Sequence, residues 1–181
     1  KAVGLRWNWI MGQKLVANTM LSYNDYAYNV NVNLDVFNST IQSRIKDWSF
    51  KEEFTFVPND QHTVKFGLHS VLHNILPGSY SGDINISNLP TNRSWENAIY
   101  VNDNWKVAPK FTLDYGVRFS AFSTLGGEQL FYELDADRNI TSATQYEKGE
   151  IVNTFTNIEP RLSANYIINP SLSLKAAYAR N

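Results

Sequence analysis

The stretch Phe111–Ala121 reads FTLDYGVRFSA. Phe111, Leu113, Tyr115, Val117, Phe119 and Ala121 are apolar; Thr112, Asp114, Gly116, Arg118 and Ser120 between them are not. A strand turns successive side chains to opposite faces, so this alternation makes one greasy face and one wet one. Soluble strands run to about 5–6 residues, whereas a tilted strand that crosses a bilayer needs about 9–11. The deciding question is whether the greasy face packs on a protein core or on lipid.

The same period of two runs along nearly the whole chain, without a convincing helical stripe. A first strand is expected over about Ala2–Met11, with Val3, Leu5, Trp7, Trp9 and Met11 in phase. A second starts near Lys14, with Leu15, Ala17, Thr19, Leu21 and Tyr23 on the matching face. Its parity flips near Asn24–Asp25, after which Tyr26, Tyr28, Val30 and Val32 carry the pattern, as a bulge would produce. Further strands are expected over about Ile45–Val57, His62–His73, Glu96–Val107, Phe111–Ala121 and Ile158–Ile168, and from Leu172 onward. Glu52 and Asp103 fall on greasy faces, so either both lie near an interface or the phase is different there.

The connections sort by length. Gly12–Gln13, Pro58–Gln61, Ala108–Lys110 and Asn169–Ser171 are short and carry turn residues. Those near Asn33–Thr40, Asn74–Ser94 and Thr124–Asn153 are long and polar, and short and long alternate. The pairs Met11/Leu15, Val107/Phe111 and Ile168/Leu172 share one spacing, so three hairpins are expected to be built alike. In an up-and-down sheet this sorting trims one end tight and leaves long loops at the other, as in outer-membrane barrels. A soluble sandwich has no reason to sort its loops. The greasy face therefore reads as lipid-facing.

Composition agrees. Aromatics make up 14% of the 181 residues and charged residues 18%. Mean hydropathy is −0.34, as expected where lipid-facing and lumen-facing residues alternate. Trp7, Trp9, Trp48 and Trp105 suit membrane–water interfaces. A net charge of −1 gives no footprint for nucleic acid. The absence of cysteine excludes thiolate zinc sites and disfavours a small disulfide-stapled domain. The chain starts at Lys1 without a signal-peptide pattern, and reads as mature protein or as an excised piece.

Catalytic and metal signatures find little support. His69 and His73 share a face, but i and i+4 on a strand lie about 13 Å apart, too far to chelate one ion. Glu133, Asp135 and Asp137 alternate like a calcium loop, yet lack its Gly and terminal Glu, and read as a solvated loop. Glu52 and Glu53 point to opposite faces and cannot act as an acid–base pair. No G-x-S-x-G, P-loop or H-E-x-x-H occurs, so no enzyme, catalytic residue, metal or cofactor is expected.

Three hairpins carry a family resemblance. Asn157–Asn181, NIEPRLSANYIINPSLSLKAAYARN, resembles barrel hairpins of TonB-dependent outer-membrane receptors, particularly those of Bacteroidetes type. Ala98–Phe122, AIYVNDNWKVAPKFTLDYGVRFSAF, and Trp48–Ser70, WSFKEEFTFVPNDQHTVKFGLHS, look like two more hairpins of that family. The resemblance implies an all-β, antiparallel, up-and-down transmembrane β-barrel segment of about eight strands in four hairpins. Its turns would be periplasmic and short, and its loops extracellular and long. Residues 1–181 would form one partial barrel domain, about a third of a barrel of about 22 strands, with the plug and TonB-contacting segment elsewhere.

What the resemblance further implies is TonB-coupled import of an iron chelate, cobalamin, glycan or peptide across the bacterial outer membrane. The partners would be outer-membrane lipid, the rest of the barrel and plug, and TonB through the parent protein. Phe66, Leu68, Leu113, Tyr115, Val117, Phe119, Leu162 and Leu174 are expected to face lipid. Lys65, Asp114, Arg118, Arg161 and Lys175 are expected to face the lumen, mainly pairing with one another or with a plug. Tyr80, Phe131 and Tyr132, in long loops, are the candidate ligand contacts, because binding residues concentrate on loops held by a rigid scaffold.

Two competing readings stand beside this one. Eight strands can close a small self-contained barrel with a binding or adhesion role, in which Gly67 and Gly116 would ease strand approach. A secreted β-sandwich would account for the four N-x-S/T tripeptides at Asn38, Asn85, Asn92 and Asn139.

Overall fold

The structure is a computed structural model that describes the backbone of residues 1–34, 37–82 and 89–180, with side chains described outside 32–39 and 79–82. The Asn85 tripeptide and the side chain of Asn38 lie outside the described residues. The described chain is all β. Eight strands form one antiparallel meander: β1 (Ala2–Ile10), β2 (Leu15–Leu34), β3 (Phe37–Asn59), β4 (His62–Gly82), β5 (Asn92–Ala108), β6 (Phe111–Leu125), β9 (Ile151–Asn169) and β10 (Leu172–Ala179), each paired with the next in that order. A separate hairpin, β7 (Leu130–Leu134) and β8 (Ile140–Gln145), is inserted between β6 and β9.

The ladders put the apolar residues of neighbouring strands on one face. Trp9, Ala17, Phe54, Phe66, Val101, Val117 and Pro160 form one cross-strand row. Trp7, Thr19, Glu52, Leu68, Ile99, Phe119 and Ile158 form the next. Cross-strand neighbours of this kind stabilise a sheet directly, as the stacked rings of Phe54 and Phe66 do at 5.2 Å. Yet nothing among the described residues covers this face. Ile99 is 61% exposed and Leu174 64%, and among the described residues no large side chain is fully buried. A soluble domain of this length would bury a core. Here the apolar surface is spread over one side of a single sheet.

Three expectations are corrected by the register. β2 carries no bulge at Asn24–Asp25: its ladder to β3 runs without interruption from Leu15↔Phe56 to Leu34↔Phe37. The parity flip is instead a change in which face is apolar. Below Tyr23 and Trp48 the apolar residues share one face; beyond them Tyr26, Tyr28 and Ile45 lie on the other, with Asp25, Lys46 and Arg44 now on the first. The same exchange occurs across β6 and β9, where Phe122 pairs with Phe155 on one face and Ser123 Oγ meets Thr154 Oγ1 at 2.9 Å on the other. The irregularity of this region lies between β3 and β4, where Pro77–Gly78 faces Ser43 alone. Proline has no N–H to give to the ladder, so the bulge falls there.

The long connections are also shorter than expected, because strands run into them. β4 reaches Gly82 and β5 starts at Asn92, and the expected loop Thr124–Asn153 contains β7 and β8. The short turns come in two kinds rather than one. Met11 N–H donates to Leu15 O at 2.8 Å around Gly12, whose φ of +91° suits glycine. Ala108↔Phe111 and Asn169↔Leu172 close over two residues, with one extra residue bulged into the incoming strand. Asn59↔His62 does the same, and Asn59 Oδ1 accepts from the N–H groups of Gln61 at 2.9 Å and His62 at 3.0 Å.

Candidate functional site: a polar sheet face and an aromatic loop pocket

On the polar face, four strands bring charged groups into one open hollow of about 500 Å³. Its lining includes Lys51, Glu53, Lys65, His69, Tyr100, Asn102, Asp114, Arg118 and Arg161. Register explains the grouping, because Glu53, Gly67, Tyr100, Arg118 and Glu159 stand in one cross-strand row. With no side chain, Gly67 leaves room for the Tyr100 ring beside it. Tyr100 Oη then donates to Glu53 Oε2 at 2.8 Å, and Lys51 Nζ lies 2.9 Å from that same oxygen.

A second cluster centres on Glu159. It accepts from Ser120 Oγ at 2.8 Å and Arg161 Nη2 at 3.3 Å, and Arg118 Nε is 3.9 Å away. Arg118 Nη2 turns to Glu96 Oε1 at 3.2 Å. Asp114 Oδ2 accepts from the amides of Asn102 and Asn104, both at 3.3 Å. Of the five residues expected on this face, Lys65, Asp114, Arg118 and Arg161 line the hollow. Lys175 stands opposite Asn165 on the outermost strand, away from it. From the sequence Glu53 is read only as facing away from Glu52, and Glu96, Glu159 and the Tyr100 hydroxyl are not read at all, although the same parity count puts all four on this face.

The eight residues expected on the apolar face share it by register. Phe66 joins Val117 through Val101, Leu68 joins Phe119 through Ile99, and Tyr115 pairs with Leu162. Leu113 pairs with Trp105 and Ala164, and Leu174 with Tyr166. Glu52 and Asp103 do lie among them, each with partners. Glu52 Oε2 accepts from Thr19 Oγ1 at 2.6 Å. Asp103 Oδ2 meets His62 Nδ1 at 2.7 Å and accepts from Tyr115 Oη at 3.0 Å. The other two histidines are held apart from one another, His69 by Ser49 at 3.1 Å and His73 by Asp47 at 2.8 Å.

At the long-loop end a second hollow, about 390 Å³, opens between the inserted hairpin and the sheet. Phe131 and Tyr132 line it as expected candidates, joined by Tyr146 and Phe155 and by Glu133. Phe131 and Tyr146 meet edge to face at 5.5 Å. Tyr146 and Phe155 are not legible as site residues in the sequence, where one falls in a long polar connection and the other at the approach of a strand. Tyr80 is not part of this group: it pairs with Ile41 in the β3–β4 ladder, and its side chain lies outside the described residues.

The acidic segment near the hairpin tip is a turn. Asp135 Oδ1 accepts from the N–H groups of Asn139 at 2.8 Å and Asp137 at 2.9 Å, and Arg138 takes a left-handed φ of 65°. These bonds, the Asn139 backbone contact foremost, hold the Asp135 carboxyl below its usual range.

A long-stranded antiparallel meander with one uncovered apolar face, one polar face and tight turns at one end is a segment of a transmembrane β-barrel wall. The chain belongs to the family of outer membrane beta barrel domains, whose model matches residues 37–180. Its place is the bacterial outer membrane, and the family is one of barrels rather than of enzymes. No curated protein sequence matches the chain. Among solved structures it is similar to the hemophore receptor HasR of Serratia marcescens, determined as a double mutant in complex with its hemophore HasA and heme. That match has a TM-score of 0.50 at 12% identity and covers 98% of this chain. The chain spans 32% of the length of that receptor.

Proposed function

We propose that this chain is part of the barrel wall of a TonB-dependent receptor that imports a scarce ligand, of the iron-chelate, cobalamin, glycan or peptide class. The observation that carries the reading is the eight-stranded sheet whose two outer edges, the far sides of β1 and β10, pair with no strand among the described residues. Unpaired edges this long are an aggregation hazard unless further strands cover them. That favours a section of a larger barrel over a self-contained barrel of eight strands. The three receptor-like hairpins and the likeness of fold to one receptor barrel support the same reading.

In this account residues 1–181 are one partial barrel domain. The apolar face, with Val117 and Leu174, lies against lipid, and the charged hollow around Asp114 and Arg118 faces the lumen and a plug. Phe131 and Tyr132, with Tyr146 and Phe155, contact ligand at the extracellular end. TonB acts through the parent protein. Growth tests decide it: cells lacking the parent gene are grown with one limiting nutrient of each class, with and without functional TonB. The reading predicts a defect on one class and no further defect when TonB is also lost. Equal growth of mutant and parent on all four classes would contradict it.

A further inference from the structure

The exchange of apolar and polar faces leaves a cluster of cations on the lipid side, just beyond the aromatic residues. Tyr23, Trp48, Leu72 and Trp95 form one row of the apolar face. The next row on that face, toward the long loops, holds Asp25, Lys46, Asn74, Arg93 and Leu125. Arg44 follows one step further, opposite Ala27. Three cations and one carboxylate thus stand together. Arg44 is committed to Asp25 by two charge-assisted bonds. Arg93 Nε donates to Asn74 Oδ1 at 3.1 Å, which orients the guanidinium and leaves its outer nitrogens free of a protein acceptor among the described residues. Lys46 has no ion pair among the described residues. Lys46 and Arg93 flank Asn74 from the two neighbouring strands, so their backbones are about 10 Å apart.

Directly below, the same face is indented. Ser70, Asn97 and Ala121 are short side chains in one row, and with Leu68, Ile99 and Phe119 they line an apolar furrow of about 340 Å³. Trp95, one row nearer the long loops, donates from Nε1 to Ser70 Oγ at 2.8 Å and so tethers its indole to the furrow's upper row. A cationic pair above an apolar trough suits one kind of occupant: a molecule with phosphate at one end and hydrocarbon at the other.

We propose that Lys46 and Arg93 bind the phosphates of a phosphorylated glycolipid of the outer leaflet, with one of its acyl chains in the furrow beneath Trp95. This rests on the lipid-facing reading of the apolar face. Arg supplies a planar fork for phosphate and Lys a point charge, and each cation near an anionic lipid surface contributes about a fivefold factor in binding.

The test uses the full-length parent protein purified in a neutral detergent. Binding of diphosphorylated lipid A is measured by native mass spectrometry for wild type, for K46R, and for the K46Q/R93Q double variant. A spin label at Val117 on the same preparations, reconstituted in lipid, reports whether that face meets hydrocarbon. The proposal predicts saturable binding, retained by K46R and weakened about thirtyfold in the double variant, with dephosphorylated lipid A binding as weakly. Equal binding by wild type and double variant, with Val117 in hydrocarbon, would overturn the headgroup site alone. Val117 in water would overturn the facing and the site with it. Competition by inorganic phosphate at the lipid's own concentration would show a free-anion site and overturn the assignment to lipid.

Discussion

The carboxylate of Asp103 lies 2.7 Å from Nδ1 of His62, on the apolar face of the sheet and only 8% exposed. Its other oxygen, Oδ1, accepts no hydrogen bond from the described residues. The Tyr115 hydroxyl donates the second bond, at 3.0 Å, and Trp105 stacks on the imidazole at 5.4 Å. A buried carboxylate that loses a donor bears the desolvation cost of the vacated acceptor. Tyr115→Phe is therefore expected to destabilise the barrel by roughly 1.5–3 kcal/mol. Tyr178→Phe, on the same face and 61% exposed, should stay within about 0.5 kcal/mol. Urea unfolding of the parent protein in lipid vesicles reads both.

Gly67 is where the strands approach most closely around Tyr100. A Cβ there would run into the Glu52 carbonyl oxygen and stand 3.0 Å from the Tyr100 hydroxyl. At Gly4 the nearest atoms are 3.8 Å away. Gly67→Ala should cost about 1–3 kcal/mol through overpacking, and Gly4→Ala nothing beyond about 0.5 kcal/mol. The same unfolding measurement separates them.

Val117→Arg would set a cation on the apolar face, at a cost of about 2–4 kcal/mol if the residue is near the bilayer midplane. Asp114→Asn, one strand face away, replaces one acceptor of two long amide bonds and should cost about 0.5 kcal/mol or less. Equal damage from the two substitutions would count against opposite facings.

The tip of the inserted hairpin should loosen in acid. Asp135 has its carboxyl held below the ordinary value of 3.8, so its contribution to the turn is complete above that value. It is lost as pH falls through the depressed value. Amide exchange of Asp137 and Asn139 should be slow at pH 6 and accelerate, beyond the intrinsic pH trend, only well below pH 4, in the order of that linkage. In Asp135→Ala the protection should be missing at every pH.

Much of the fold was legible because alternation is a local property. Phe111–Ala121 shows its two faces without reference to any other strand, and the partners of Val117 fall into place once each strand shows the same period. The flip at Asn24–Asp25 was misread because two causes give one pattern: an inserted residue, or a strand passing from lipid into water. Only the uninterrupted pairing with β3 separates them. β7 and β8 lie inside a stretch whose polarity reads as loop, although Leu130, Tyr132 and Leu134 alternate before a turn-rich D-A-D-R-N. The pocket partners Tyr146 and Phe155 were out of reach for a different reason. What brings them to Phe131 is the fold of the insertion, a contact between segments distant in sequence.

The most direct measurement is a cysteine scan of β6, to which the chain contributes no cysteine of its own. Single cysteines at Asp114, Tyr115, Val117, Arg118, Phe119 and Ser120 of the parent protein carry a nitroxide in outer-membrane lipid. Collision with oxygen, which partitions into hydrocarbon, is compared with collision with a water-soluble nickel chelate. The account predicts high oxygen and low nickel accessibility at Tyr115, Val117 and Phe119, and low oxygen accessibility at Asp114, Arg118 and Ser120. Equal oxygen accessibility at all six positions, or the opposite alternation, would contradict it.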